Sequence, residues 1–286
     1  MWYDKSLYLF TVPASIVLAV FFVYPISLTV ALSFTDSSGF GPASSVGFDN
    51  YASVLTSDRY LRSIWVALKF SFLIVVFQNL IGLIFAAILY RAPFVRGFCR
   101  ATLFAPTMMS FVIVGYIWQF IYSPFGGALN VLVATLGFDG FQQNYLGNPD
   151  TAIYAVAAAH IWMFTGHSCA IFLAGFSSIS EEVTEAAILD GVSSVKRFIF
   201  IELPLLKGSI SVAIILSTIG SLKTFELPLI MTGGGPDGAT RPLSMEIINS
   251  LFTDYRFGMA SAMAIVMLII VLSVSYMQQR YFDRGE

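Results

Sequence analysis

Four side chains carry charge or proton chemistry into apolar surroundings: His160, His167, Lys223 and Glu226. Each falls within a long hydrophobic run, where an ionisable group is costly and is a functional candidate by default. Lys223 and Glu226 stand three residues apart, which puts them on one helical face and within reach of each other. They read either as a structural ion pair or as charged groups lining a polar path. His160 and His167 share a face, but seven residues separate them by about 10 Å along a helix axis. One ion with bonds of about 2 Å cannot join them directly, so no metal site is expected. Either histidine can face a bundle interior and form a hydrogen bond. Cys99 and Cys169 have no framework spacing and suggest neither a disulfide scaffold nor a zinc site. A phosphate-binding loop needs glycines leading into Gly-Lys-Ser/Thr, and no Gly-Lys pair occurs. The chain is therefore expected to hydrolyse no ATP, to have no catalytic residues and to bind no cofactor of its own.

Composition sets the elements that must position these groups. The 286 residues are 57% hydrophobic and 11% charged, too little polar surface for a soluble domain to cover itself. Runs of about twenty apolar residues indicate a polytopic membrane protein. Six spans are expected, at about Leu7–Leu32, Trp65–Tyr90, Ala101–Tyr122, Thr151–Phe176, Ser209–Met231 and Gly258–Gln278. The first run is too long for a secretory signal and is read as a retained anchor. Tyr24-Pro25 within it is tolerable if neighbours re-satisfy the freed carbonyl. Pro106 interrupts the third span, and Lys69 snorkels to an interface. No second domain is expected: residues 1–286 form one all-α membrane domain. A net charge of −2 without a basic stripe excludes a nucleic-acid partner.

Orientation follows from lysine and arginine. With the N-terminus inside, inner segments hold Lys5, Arg91, Arg96, Arg100, Lys196, Arg197, Lys207, Arg280 and Arg284, against Arg59, Arg62, Arg241 and Arg256 outside. Nine against four puts both termini, and the polar loop 177–208, in the cytoplasm. Within that loop Ser178 and Glu181 have capping-box spacing. Glu181, Glu182 and Glu185 suit a helix N-terminus. Val183, Ala186 and Ala187 give one apolar face. Gly191 can end the helix in the left-handed conformation. Ser193 or Ser194 can cap a second helix reaching Phe200, with Lys196 and Arg197 facing water, and Pro204 marks a break or bend. This helix pair is either an amphipathic linker on the membrane or a coupling element that plugs into a partner.

Glu185-Ala186-Ala187, three residues, Gly191, nine residues, then Ile201-x-Leu203-Pro204 resembles the cytoplasmic signature loop of importer-type ABC permeases. Thr232-Gly233-Gly234-Gly235-Pro236 with Thr240, then Phe257-Gly258-x-Ala260-x-Ala262, resembles their carbohydrate-uptake branch, which serves maltose-type sugars and glycerol phosphate. On sequence physics alone the glycine run reads as a flexible turn. Tyr24-Pro25, Gly47-Phe48-x-Asn50-Tyr51, Pro106 with Trp118, and Gly127-x-Leu129-Asn130 agree with that branch. The likeness covers nearly the whole chain, without the extra spans and inserted outer domain of the maltose permease.

The resemblance implies uptake of a sugar, polyol or glycoside by alternating access, driven by separate ATPase subunits that hold ATP and magnesium. Coupling falls to Glu185, Ala186, Ala187, Asp190, Gly191, Ile201 and Pro204. Substrate-path candidates are Lys223, Glu226, Trp118, Asn130, Gly234 and Gly235. Trp118, Trp162, Tyr116 and Tyr122 read as packing residues or as platforms for sugar rings. Implied partners are a second permease in a heterodimer, two ATPase subunits, an extracytoplasmic binding protein and the lipid of a bacterial inner membrane. The alternative is a secondary transporter driven by an ion gradient through an intramembrane carboxylate. A membrane-embedded enzyme would need a convergent constellation that the sequence lacks.

Overall fold

A computed structural model describes residues 6–92, 96–138 and 143–283, with the side chains of 6–10, 96 and 98–100 outside the description. Lys5 and Arg284 of the charge bias, and the side chains of Arg96, Cys99 and Arg100, thus lie outside the described residues. The described residues are helical and hold no strand beyond one isolated bridge, Thr35 to Ser45. The helices are α1 (Ser6–Leu18), α2 (Tyr24–Ser33), α3 (Asp49–Thr56), α4 (Asp58–Arg91), α5 (Arg96–Phe104), α6 (Phe111–Ile121), α7 (Ala128–Thr135) and α8 (Pro149–Ser177). After them come α9 (Glu181–Leu189), α10 (Ser194–Arg197), α11 (Leu203–Leu205), α12 (Lys207–Lys223), α13 (Glu226–Thr232), α14 (Leu243–Phe252) and α15 (Phe257–Asp283).

Among the described residues, four stretches are long and apolar enough to cross a membrane unbroken: Thr11–Ser33, Asp58–Arg91, Pro149–Ser177 and Phe257–Asp283. The expected third and fifth spans are not straight helices, and six is reached only if each bent pair is counted as one span. Ala101–Met108 meets α6 at 108°, after Pro106 closes a short 3-10 turn. The fifth expected span, Ser209–Met231, breaks after Lys223. Pro228 explains the break: in one continuous helix its ring would collide with the carbonyl of Thr224 four residues back. Restarting at Glu226 puts Pro228 in the first turn of α13, where amides lack helical partners anyway.

Two other prolines are accommodated differently. A π turn, Ala19–Val23, precedes Pro25, and the Tyr24 amide donates to Ala19 O across it. A second, Phe198–Glu202, precedes Pro204, with the Leu203 amide on Phe198 O. The wider turn lets the helix run through the proline instead of ending there.

The chain divides into two compact units, Met1–Arg62 with Leu243–Ile270, and Ser63–Pro242 with Val271–Glu286. In the first, the buried Asn50 amide donates to Ser33 O (2.9 Å) and Thr35 O (2.8 Å), and the Tyr51 and Ser33 hydroxyls lie 2.6 Å apart. Gly258 packs so closely on the Thr35 carbonyl that a Cβ would overlap it. Fully buried Glu246 on α14 accepts both Arg59 Nε (3.2 Å) and Nη2 (2.7 Å).

In the second unit, α4, α8 and α12 share an apolar core that includes Phe70, Ile74, Val156, Met163, Phe172 and Phe176. A polar seam runs through it. Gln78 Nε2 donates to Ser168 Oγ (2.9 Å), Ser168 Oγ to Asn79 Oδ1 (3.0 Å), and Asn79 Nδ2 to Ser217 Oγ (2.8 Å). Such bonds hold helices where lipid leaves no hydrophobic gain in association. Gly82 lets α4 lie directly on Ser168.

Candidate functional site

The polar loop between α8 and α12 is built from its caps. Ser180, not Ser178, begins α9: its hydroxyl accepts the Val183 amide. Ser178 closes α8 instead, donating to Gly175 O at 2.8 Å. Glu181 and Glu182 occupy the first turn of α9, and Glu185 lies one turn further on. At the other end Asp190 is the C-cap and Gly191 takes φ = 70°. Gly191 N–H reaches Ile188 O (3.0 Å) and Val192 N–H reaches Ala187 O (3.1 Å), the two bonds of a Schellman motif.

Of the apolar face Val183, Ala186 and Ala187, only Ala187 is buried within the chain, whereas Val183 and Ala186 are exposed. Ile188 (56% exposed) and Leu189 (87%) project from α9, with nothing among the described residues covering Leu189. The second helix is shorter than expected, since α10 ends at Arg197 and passes into the π turn. Lys196 faces solvent, but Arg197 does not: its Nε donates to Glu202 Oε1 at 3.0 Å. Pro204 sits within the helical path, and the bend, 70°, follows at Leu206. Ile201 is half-buried just before the buried Glu202. Glu202 was not singled out in the sequence, although an acid in an apolar stretch was a readable signal.

A cavity of about 300 Å³ lies among α4, α8, α12 and the start of α13. Gln78, His160, His167, Ser217, Ser221, Thr224, Lys223 and Glu226 line it with Phe111, Phe164, Leu216 and Gly220. Two buried atoms of this wall, Gln78 Oε1 and His160 Nδ1, have no hydrogen-bond partner. A buried polar atom without a partner costs about 1–3 kcal/mol, so each is a group with unused hydrogen-bonding capacity facing the cavity. Thr224 Oγ1 and His160 Nε2 are 3.4 Å apart, which leaves Nδ1 as the free ring nitrogen.

Lys223 and Glu226 both line this space, but not on one helical face, because the Pro228 break puts them on successive helices. No ion pair joins them among the described residues. Glu226 Oε2 accepts the Phe225 amide at 3.1 Å, and Lys223 is exposed. The other four path candidates lie elsewhere. Asn130 on α7 is spent on local bonds, to Ser123 O (3.2 Å) and Gln143 O (3.1 Å), with its oxygen on the Gln143 amide. Trp118 packs against Tyr122 and Trp162, at ring separations of 5.2 and 5.9 Å. Gly234 and Gly235 finish α13: Gly234 N–H bonds Pro228 O and Gly235 N–H bonds Thr232 O. Thr240 Oγ1 holds Gly235 O at 2.7 Å, so the glycine run is an ordered cap rather than a loose turn. Ser217, Ser221 and Thr224 were readable as a polar stripe at helical spacing in an apolar run. Gln78, from a different span, was not.

Spans that bend at prolines, a polar cavity within them and a capped polar loop between α8 and α12 fit an integral membrane transport permease. The chain belongs to the family of binding-protein-dependent transport system inner membrane components, whose model matches residues 78–285. It is 34% identical to the probable ABC transporter permease protein YurN of Bacillus subtilis over 98% of this chain and 96% of that one. It is equally 34% identical to the trehalose/maltose transport system permease protein MalF of Thermococcus litoralis, covering 97% and 94%. A crystallised bacterial alginate ABC transporter, bound to a periplasmic protein carrying alginate pentasaccharide, has a chain of the same fold. Its TM-score is 0.83 at 21% identity, over 98% of this chain and 95% of that one.

Proposed function

We propose that this permease takes up a sugar, polyol or glycoside by alternating access, driven by two ATPase subunits seated on the loop around α9. The observation that carries the coupling is α9 itself. A rigidly capped helix in a polar loop projects Ile188 and Leu189 into solvent, at 56% and 87% exposure, which suits insertion into a groove of a partner protein. Glu185, Ala186, Ala187, Asp190 and Gly191 form or cap that helix, and Ile201 and Pro204 hold its return path. One such loop per chain, set against two ATPase subunits, favours a heterodimer with a related permease. ATP and magnesium belong to the ATPase pair; this chain moves the substrate and catalyses nothing.

The cavity supplies the substrate side. Hydroxyls of a sugar both donate and accept, and they match the free acceptor on Gln78, the free ring nitrogen of His160, the Ser217 and Ser221 hydroxyls, and the charged ends of Lys223 and Glu226. Substrate would arrive on a separate extracytoplasmic binding protein docking across the loops near Gly41–Arg62, Ser123–Asp150 and Thr232–Arg256. The lysine and arginine bias supports a bacterial inner-membrane chain with both termini in the cytoplasm.

The test is reconstitution of the permease pair with and without the ATPase and the binding protein, using a panel of radiolabelled sugars. Uptake that requires both is the expected result. Uptake driven by a proton or sodium gradient without the ATPase would overturn the reading in favour of a secondary transporter.

A further inference from the structure

Glu202 is 2% exposed, and its two oxygens bind arginines from different elements. Oε2 receives Arg91 Nη2 at 2.5 Å, from the last residue of α4. Oε1 receives Arg197 Nε at 3.0 Å, from the last residue of α10. The Arg91 guanidinium also lies 5.8 Å from the Phe198 ring centre, and Phe198 stacks on Phe176 at the end of α8. The first half of the loop has no comparable attachment, since only Ala187 of α9 is buried.

On the reading that α9 docks an ATPase, we infer that Glu202 is a positioning residue, the joint through which movement of the coupling loop reaches α4. The path is short: α9, the Gly191 turn, α10 with Arg197, the carboxylate, then Arg91. Charge-assisted bonds to a buried carboxylate have fixed lengths and directions, whereas apolar contacts can slide. A joint made only of Phe198 and Leu206 would slip under load. One carboxylate shared by two guanidiniums also sets the register of loop against helix, the best-attested use of buried ionic groups.

The experiment uses the full assembled complex with Glu202→Gln, which preserves shape but cannot neutralise two cations. The reporter is Gly220→Cys, where a Cβ meets open space at the cavity wall, in a chain carrying Cys99→Ser and Cys169→Ala. The probes are a membrane-impermeant maleimide and ATP with vanadate. With Glu202 present, trapping with ATP and vanadate should change the labelling rate at least fivefold. With Glu202→Gln the ATPase subunits should still co-purify and hydrolyse ATP, but the labelling rate should no longer respond. Glu202→Asp, which keeps a carboxylate between the two guanidiniums, should keep at least half the response, which a general loss of stability would not predict. An undiminished response in Glu202→Gln overturns the inference. So does a Glu202→Asp chain that assembles but stays silent, should Glu202→Gln itself fail to reach the membrane. A complex with Glu202 intact that binds no ATPase overturns the coupling reading instead, which separates the two failures.

Discussion

Replacing Gly191 with valine tests the coupling loop at its sharpest point. Gly191 sits at φ = 70° with nothing within 4 Å of where a Cβ would be, so any effect is a backbone effect and not a clash. A side chain in the left-handed region costs roughly 1–2 kcal/mol. If valine pulls the residue out of that region, the bonds Gly191 N–H to Ile188 O and Val192 N–H to Ala187 O are lost instead. Those cost about 1 kcal/mol each. Either route costs about 1–2 kcal/mol, which at tenfold per 1.4 kcal/mol lowers the population of docking-competent loop by roughly 5- to 30-fold. Alanine keeps the bonds and should cost about tenfold or less, and asparagine, at home in this conformation, should approach glycine. The assay is ATPase co-purification from solubilised membranes, together with ATP-dependent uptake in proteoliposomes at matched permease levels. The expected order is glycine, asparagine, alanine, valine. A valine chain that retains the ATPase and transports at the wild-type rate would refute the assignment of α9 as the coupling helix.

Three further outcomes follow from the geometry. Leu189→Glu removes an 87% exposed leucine that a docking groove would bury, worth about 1.5–3 kcal/mol, so ATPase retention should fall at least tenfold with unchanged thermal melting of the permease. Asn50→Ala strands the carbonyls of Ser33 and Thr35 and should destabilise the first unit by about 2–3 kcal/mol, read as a lowered melting temperature in detergent. Gly82→Ala would set a Cβ 2.7 Å from Ser168 Cβ and force α4 off α8, costing about 1–3 kcal/mol and lowering the folded yield on size-exclusion chromatography.

The loop was legible because its determinants are local. Gly191 announces a left-handed cap through its own lack of a Cβ, and the spacing from Glu185 to Gly191 is that of one short helix with its cap. The Asn50-Tyr51 and Phe257-Gly258 motifs were visible as patterns, but their use was not. They tie α3 and the start of α15 to the backbone at Ser33–Ser37, a meeting of segments about 200 residues apart. The fifth span was misread because the apolar runs on either side of Lys223–Glu226 were joined into one helix. The element that breaks it, Pro228, acts four residues upstream of itself, and its effect had to be counted backwards. Asn130 and the Gly233–Gly235 run looked available for ligand because polar or flexible residues were judged one at a time. In the fold their hydrogen-bonding capacity is already taken by neighbours.

The Arg91–Glu202 bond also orders events at the ribosome, because its partners are 111 residues apart in the chain. At about 5–20 residues per second, α4 is complete roughly 6–20 s before its anion is synthesised. During that interval the Arg91 guanidinium lacks its carboxylate and can snorkel to the membrane surface at the end of α4. The bond closes only once α8 has crossed and the following loop has emerged on the same side as Arg91. Insertion of α8 in the wrong sense would leave Glu202 across the bilayer from both its distant partner and its place in the fold. The pair can thus close only in a chain whose helices have been threaded to bring Arg91 and Glu202 to one side.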